Sequence, residues 1–184
     1  MERCNWAGSN ENMQIYHDTI WGVPEYDDQR LFRKFVLDMN QAGLSWQTIL
    51  NKSESFDQAY ENFEIEKVAK FDEVKVEELM QNAGVIRNRR KIEAAIHNAQ
   101  KILEMQATEM SFSDYLWGFT NHRVIDGQRE VPATTELSDR IAKDLKKRGF
   151  KFVGSTTIYA FLQAVGIVND HEKNCFRYEE LQLK

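Results

Sequence analysis

At 184 residues, 42% of them hydrophobic, the chain can bury a sizeable core as one large domain or two small lobes. Only two prolines, nine glycines and no repeat of fixed period argue against long linkers or a solenoid. Nowhere do about 18 apolar residues run together, and Met1-Glu2-Arg3-Cys4-Asn5-Trp6 lacks the apolar core of a signal peptide, so a soluble, cytoplasmic protein without membrane contact is expected.

A net charge of -5 gives no overall attraction to nucleic acid. The charge is patchy, however. Arg87, Arg89, Arg90 and Lys91 make one basic group, Lys143, Lys146, Lys147, Arg148 and Lys151 a second, and acids gather between residues 54 and 78. Either basic group could hold phosphates, and either could be a solvated helix face.

The first quarter holds Trp6, Tyr16, Trp21 and Trp46, so three of the four tryptophans precede residue 47. Buried indoles need partners for their N–H groups, which makes such a cluster costly as plain packing and useful as a stacking surface. Asp27 or Asp28 can cap a helix over 28–40, in which Leu31, Phe32, Phe35, Val36 and Met39 recur at helical spacing while Asp38 falls outside the stripe. Ala42-Gly43 stops that helix, Leu44 stands at the tip of the turn, and Ser45 can cap a helix carrying Trp46, Ile49 and Leu50. So close together, a carboxylate, a glycine turn, an apolar tip and an indole are either an ordinary helix junction or a site.

The pattern stays helical almost throughout, and strand signals are nearly absent. Residues 53–63 carry Phe56, Ala59, Tyr60 and Phe63; 64–71 and 74–82 are shorter helices with Ile65, Val68, Val76 and Leu79 facing inward. The longest helix spans 88–105, with Ile92, Ala95, Ile96, Ala99 and Ile102 in register. Before it, Ala83-Gly84-Val85-Ile86 forms a glycine turn beside Arg87 and Arg89, which could offer backbone amides to a phosphate or simply join two helices. Ser111 caps a helix through Phe119, with Asp114 placed for a capping box, and 120–133, around Asp126-Gly127 and Pro132, reads as a loop. A basic amphipathic helix over 138–148 ends at Gly149, and an apolar one spans 155–165.

The two cysteines lie at opposite ends, each with a histidine nearby: Cys4 with His17, and Cys175 with His171 four residues before it. Two thiolates and two imidazoles would make a closed tetrahedral zinc site that staples the N-terminal arm to the C-terminal tail. A Cys4–Cys175 disulfide and two unrelated buried thiols are the alternatives. His97 and His122 read as helix-surface and loop residues.

Several stretches together resemble the constitutive bacterial DNA-3-methyladenine glycosylases, the type I enzymes. They are residues 1–6, Tyr16-His17-Asp18, Trp21-Gly22-Val23-Pro24-Glu25, Gln41-Ala42-Gly43-Leu44-Ser45-Trp46, residues 83–92, residues 145–154, Val168-Asn169-Asp170-His171 and Cys175. They occur in family order over nearly the whole chain; only 104–140 fits loosely. The resemblance implies an all-α, two-lobed helix-hairpin-helix DNA glycosylase. It would form one domain over 1–184, with an arm of about 1–26 and a tail of about 166–184 joined by one structural zinc on Cys4, His17, His171 and Cys175.

It also implies a pocket in which Tyr16 and Trp46 stack on an extruded purine, Trp6 and Trp21 line the wall, and Asp38 hydrogen-bonds the base edge. Gly43 and Leu44, Gly84, Arg87, Arg89 and Lys151 would contact double-stranded alkylated DNA. The implied reaction is monofunctional hydrolysis of the N-glycosidic bond by a monomer, with free 3-methyladenine as product and no lyase lysine. Two departures stand out. The family pattern has Glu where this chain has Asp38, and polar residues where it has Met13 and Ala160. These keep open a glycosylase for another alkylated base, and beside it a non-catalytic zinc-stapled DNA- or protein-binding module.

Overall fold

A computed structural model describes residues 1–127 and 131–182. The fold is helical. Helix α1 (Glu11–Thr19) is capped by Asn10, whose side chain accepts from the Met13 amide. Helix α2 (Asp28–Gln41) buries Leu31, Phe32, Phe35, Val36 and Met39, as their spacing predicts. Asp27 is its cap; Asp28 instead reaches across the fold, its carboxylate accepting from the amides of Phe112 and Ser113. One aspartate therefore starts α2 and its neighbour ties that helix to the start of a distant one.

Ala42-Gly43-Leu44 forms the expected turn, with Gly43 at φ 81°, and α3 (Trp46–Asn51) starts under the Ser45 cap. The predicted 53–63 helix is shorter than its pattern. It runs as α4 (Ser53–Ala59), because Glu61, Asn62 and Phe63 take positive φ, which lets Phe63 stack on Tyr60 with ring centroids 5.3 Å apart. Next come α5 (Ile65–Val68), α6 (Glu73–Gln81) under the Asp72 cap, and α7 (Arg89–Thr108) under the Asn88 cap.

α8 (Phe112–Gly118) has Ser111 as its cap, accepting from the Asp114 amide. A reciprocal capping box appears elsewhere: α9 (Glu136–Lys147) starts two residues earlier than its apolar pattern suggests, with Thr135 as cap and Ser138 returning the bond. α10 (Ser155–Ala164) and α11 (Phe176–Gln182) complete the helices.

The 120–133 segment, of which 128–130 lie outside the described residues, is not wholly irregular. β1 (Ile125–Asp126) pairs in parallel with β2 (Val168–Asn169), a strand pair too short to leave any sequence pattern. Among the described residues, no helix is long and apolar enough to cross a membrane.

Helix α10 packs on α9 and α2, and α7 packs on α5, α6 and α2. Their apolar faces make one buried cluster extending from Leu31 to Val168. The arm and tail contribute buried residues outside it, Cys4, Ala7, Tyr16, Cys175 and Leu181 among them. Gly166 permits the arm to dock: a Cβ there would lie 2.5 Å from Pro24 N and 2.6 Å from Gly22 O. That contact sets the arm's aromatic residues beside α2 and α10.

Candidate active site

A pocket of about 390 Å³ opens between the arm, α2, α3 and α10. Helical spacing builds its walls. α1 presents Met13 and Tyr16 three residues apart, α2 presents Asp38 and Gln41, and α10 presents Ala160, Gln163 and Ala164. Trp46 enters from the first turn of α3, Trp6 and Trp21 from the arm, Val131 from the 120–133 segment, and Asp170 and Glu172 from the tail. All five residues expected to meet a base, Asp38, Tyr16, Trp46, Trp6 and Trp21, therefore converge on one space. Met13 and Ala160 line it too.

The rings interlock. Tyr16 and Trp46 lie 5.1 Å apart at 40°, and Trp6 meets Trp21 edge-on at 5.0 Å. Burial pushes the Tyr16 hydroxyl well above its ordinary value, with the Asp38 charge adding to the effect, so it remains a neutral phenol.

Asp38 is the centre of the electrostatics. It is only 6% exposed, and its Oδ2 has no hydrogen-bond partner. Burial raises its pKa to about 8, against a smaller opposing pull from Lys34 one turn earlier on α2. The apolar stripe of α2 gives no sign of this, because it is α10 and the arm that cover the other side of the helix. Asp170 is the second pocket carboxylate: its Oδ2 accepts from Tyr159 and from Gln163 Nε2 at 2.8 Å, and its Oδ1 is buried without a partner.

Beneath the pocket, the four terminal residues come together. Cys4, His17, His171 and Cys175 are buried and place their donor atoms within 4.8 Å of one another. Cys4 Sγ lies 3.4 Å from His171 Nδ1, and Cys175 Sγ lies 3.4 Å from His17 Nε2 and 3.6 Å from His171 Nδ1. The cysteines are free thiols rather than a disulfide. Each histidine points its other nitrogen at an acceptor, His17 Nδ1 at Asp18 Oδ1 (2.8 Å) and His171 Nε2 at the Trp21 carbonyl (3.2 Å). Asp18 is in turn gripped by Arg3 through Nε and Nη2. Such outer partners fix which nitrogen faces inward, so the group can hold a metal ion. Neither residue was assigned this part from the sequence, although Asp18 adjoins His17 and Arg3 adjoins Cys4.

The residues expected to touch DNA lie apart from the pocket floor. Leu44 is 41% exposed at the tip of its turn, and no atom lies within 4 Å of where a Gly43 Cβ would stand, so Gly43 is there for its positive φ. Gly84 has another reason. A Cβ at that position would sit 2.8 Å from Ser55 Cβ, so its glycine serves packing of the turn on α4. Arg87 and Lys151 are exposed, whereas Arg89 is engaged by Glu73, Glu77 and Glu93. Asn98 holds the Lys151 backbone on both sides, accepting from its N–H (2.8 Å) and donating to its carbonyl (2.9 Å). His97, read as a surface residue, contacts the Gly149 carbonyl at 2.7 Å and steadies the same turn.

An aromatic slot with a buried carboxylate is a receptor for a flat, polar-edged ring, and the similarity to known proteins agrees with that geometry. Residues 6–178 match the methyladenine glycosylase family. The chain is 46% identical over 177 residues to the DNA-3-methyladenine glycosylase of Haemophilus influenzae, covering 94% of this chain and 96% of that protein. It superposes on a crystal structure of 3-methyladenine DNA glycosylase I with a TM-score of 0.92 at 44% identity, over 95% of this chain and 98% of the other. A structure of the Staphylococcus aureus enzyme, described for its recognition of 3-methyladenine, gives 0.91 at 36% identity over 97% of each chain. The chain belongs to the methyladenine glycosylase family.

Proposed function

We propose that this protein is a monofunctional DNA-3-methyladenine glycosylase: it hydrolyses the N-glycosidic bond of 3-methyladenine in alkylated double-stranded DNA, releases the free base and leaves an abasic site. The observation that carries this reading is Asp38 Oδ2, buried and without a partner in a pocket walled by Tyr16 and Trp46. An N3-methylated adenine in DNA is cationic, so its glycosidic bond is already weakened and recognition can do most of the work. Aromatic faces favour the cation by about 0.5–2 kcal/mol per contact. Asp38 accepts a hydrogen bond from the base edge, and a cationic guest restores the ionised carboxylate that burial disfavours. When the bond breaks, its electron pair stays with the base, which leaves neutral, and water gives its hydroxyl to the sugar cation and its other proton to the solvent.

Residues 1–184 act as a single, monomeric, cytoplasmic glycosylase domain whose arm and tail are clipped by one zinc on Cys4, His17, His171 and Cys175. The fit is metrical: Zn–S near 2.3 Å and Zn–N near 2.05 Å at a tetrahedral angle put sulfur and nitrogen about 3.6 Å apart. Three of the four sulfur–nitrogen separations are 3.4, 3.4 and 3.6 Å. The metal's contribution is structural, leaving no open position for chemistry.

Phosphates are gripped in the helix-hairpin-helix manner, by Arg87, Arg89 and the Gly84 turn between α6 and α7, and by Lys151 in the turn between α9 and α10. Supporting the second grip, α10 begins at exposed Gly154 with no side-chain cap, leaving amides available to an anion. Gly43 and Leu44 meet the duplex at the lesion, Leu44 filling the gap in the stack.

A second reading, a different alkylated base, is favoured by the shorter Asp38 and by Met13 and Ala160 in the pocket wall. Incubating methylated duplex DNA with the protein and identifying each released base decides between them. Release chiefly of 3-methyladenine supports the first reading, release chiefly of another base the second, and release of none refutes both in favour of a binding module.

A further inference from the structure

Of the basic residues 87–91, Lys91 is the buried one, at 6% exposure. It leaves the first turn of α7 and ends beneath the junction of α2 and α3. There its Nζ donates to the carbonyls of Asn40 and Ala42, both at 2.8 Å. These carbonyls belong to the end of α2, where the helix has no amides left to satisfy them and where its dipole favours a cation. Burial holds the Lys91 ammonium below its ordinary pKa, so these two bonds are what keeps a charge there.

The next two residues are Gly43 and Leu44. Their turn has little else to hold it: Leu44 N donates to Gln41 O at 2.7 Å, Ala42 N to Met39 O at a long 3.4 Å, and the outer side is open. Trp46 is fixed separately, by the Ser45 cap on Thr48 N and by its ring contact with Tyr16.

We propose that Lys91 is a positioning residue for base extrusion: its ammonium clamps the Asn40 and Ala42 carbonyls and so holds the Gly43–Leu44 turn in the shape that fills the gap left by a flipped nucleotide. This rests on the glycosylase reading. It also links two parts of the protein, since the helix that supplies the clamp begins at the Arg87–Arg90 surface. Removing Lys91 should loosen the turn and leave the base pocket intact.

The test compares wild type with Lys91→Met and Lys91→Arg in single-turnover excision of the same lesion in duplex and in single-stranded DNA, alongside binding of free 3-methyladenine followed by tryptophan fluorescence. Wild-type excision checks the glycosylase reading separately from the role of Lys91. Loss of charge-assisted hydrogen bonds predicts excision from duplex about tenfold slower in Lys91→Met, with single-strand excision and free-base affinity within about twofold of wild type. Lys91→Arg, which keeps the charge, recovers most of the loss. Because both residues act on one step, the double variant with Leu44→Ala is little slower than Leu44→Ala alone. Equal losses on both substrates, a parallel loss of free-base affinity, or additive losses in the double variant overturn the proposal and leave Lys91 a purely structural cap. If Lys91→Met does not fold, Lys91→Gln enters the same comparison.

Discussion

The carboxylate of Asp38 and the indole of Trp46 close the same pocket, and each buries a polar atom, Oδ2 and Nε1, that has no hydrogen-bond partner within the protein. An unpaired buried polar group costs about 1–3 kcal/mol, so the pocket holds recognition energy that a ring with a polar edge can recover. The same burial makes the site sensitive to pH.

The folded protein keeps a proton on Asp38 up to a pKa of about 8, whereas the ordinary value is 3.8. Within that window the native state binds more protons than the unfolded chain, so this group makes stability fall as pH rises, levelling off above about pH 8. Asp38→Asn removes this proton-binding difference between the folded and unfolded states. Urea unfolding at several pH values should find the Asp38→Asn variant gaining on wild type as pH rises from 4 to 8, by a few kcal/mol in total. A stability difference that does not change with pH would show that Asp38 is not the buried acid described.

Metal removal should act through the arm. Because Cys4, His17, His171 and Cys175 draw together segments at both ends of the chain, loss of an ion held there should release the arm, and the pocket should lose Trp6 and Trp21. Native mass spectrometry should find one zinc per chain. Cys175→Ser should abolish it, lower the melting temperature and weaken base binding together. A metal-free native protein with normal stability would refute the clip.

The salt dependence of DNA binding should separate the arginines. Arg87→Ala and Lys151→Ala should each reduce the slope of log K against log salt by about 0.9 if the residue neutralises one phosphate. Arg89→Ala should reduce it less, because Glu73, Glu77 and Glu93 already engage that guanidinium. Equal slopes for Arg87→Ala and wild type would remove Arg87 from the interface.

Much of this was legible in the sequence because helices advertise themselves. The stripe of α2, the Ser45 and Ser111 caps and the Gly43 stop all follow from local rules, and the structure contains them. The pocket's aromatic residues were legible as a cluster because so many indoles fall so early. What stayed hidden depends on contacts between distant segments. Asp38 looks like a solvent-facing residue until α10 and the arm cover it, and Lys91 looks like a phosphate ligand until its side chain is seen to turn inward. Gln163 carries no signal in the sequence and Asp170 stands there only as part of the Val168–His171 stretch, with no role implied; the pairing of β1 with β2 and the turn after α10 help to bring the tail to the pocket wall.

Gly166 tests that long-range arrangement. A methyl group there meets the backbone of residues 22–24 at 2.5–2.6 Å and forces a residue with a side chain to keep φ at 78°. Gly166→Ala should lose more than about 1 kcal/mol, read as a lower urea midpoint at unchanged slope. A neutral result would mean that the arm does not dock against this turn.

Whether the Asp38 pocket selects and releases a methylated adenine is decided by single-turnover base release from methylated duplex DNA by wild type and Asp38→Asn, with each freed base identified. Wild type should free chiefly 3-methyladenine and leave an unbroken strand with an abasic site, and the Asp38→Asn variant should be slower by at least about tenfold, the effect of losing one charge-assisted hydrogen bond. Equal rates for the two proteins, or wild-type release chiefly of another base, would contradict it.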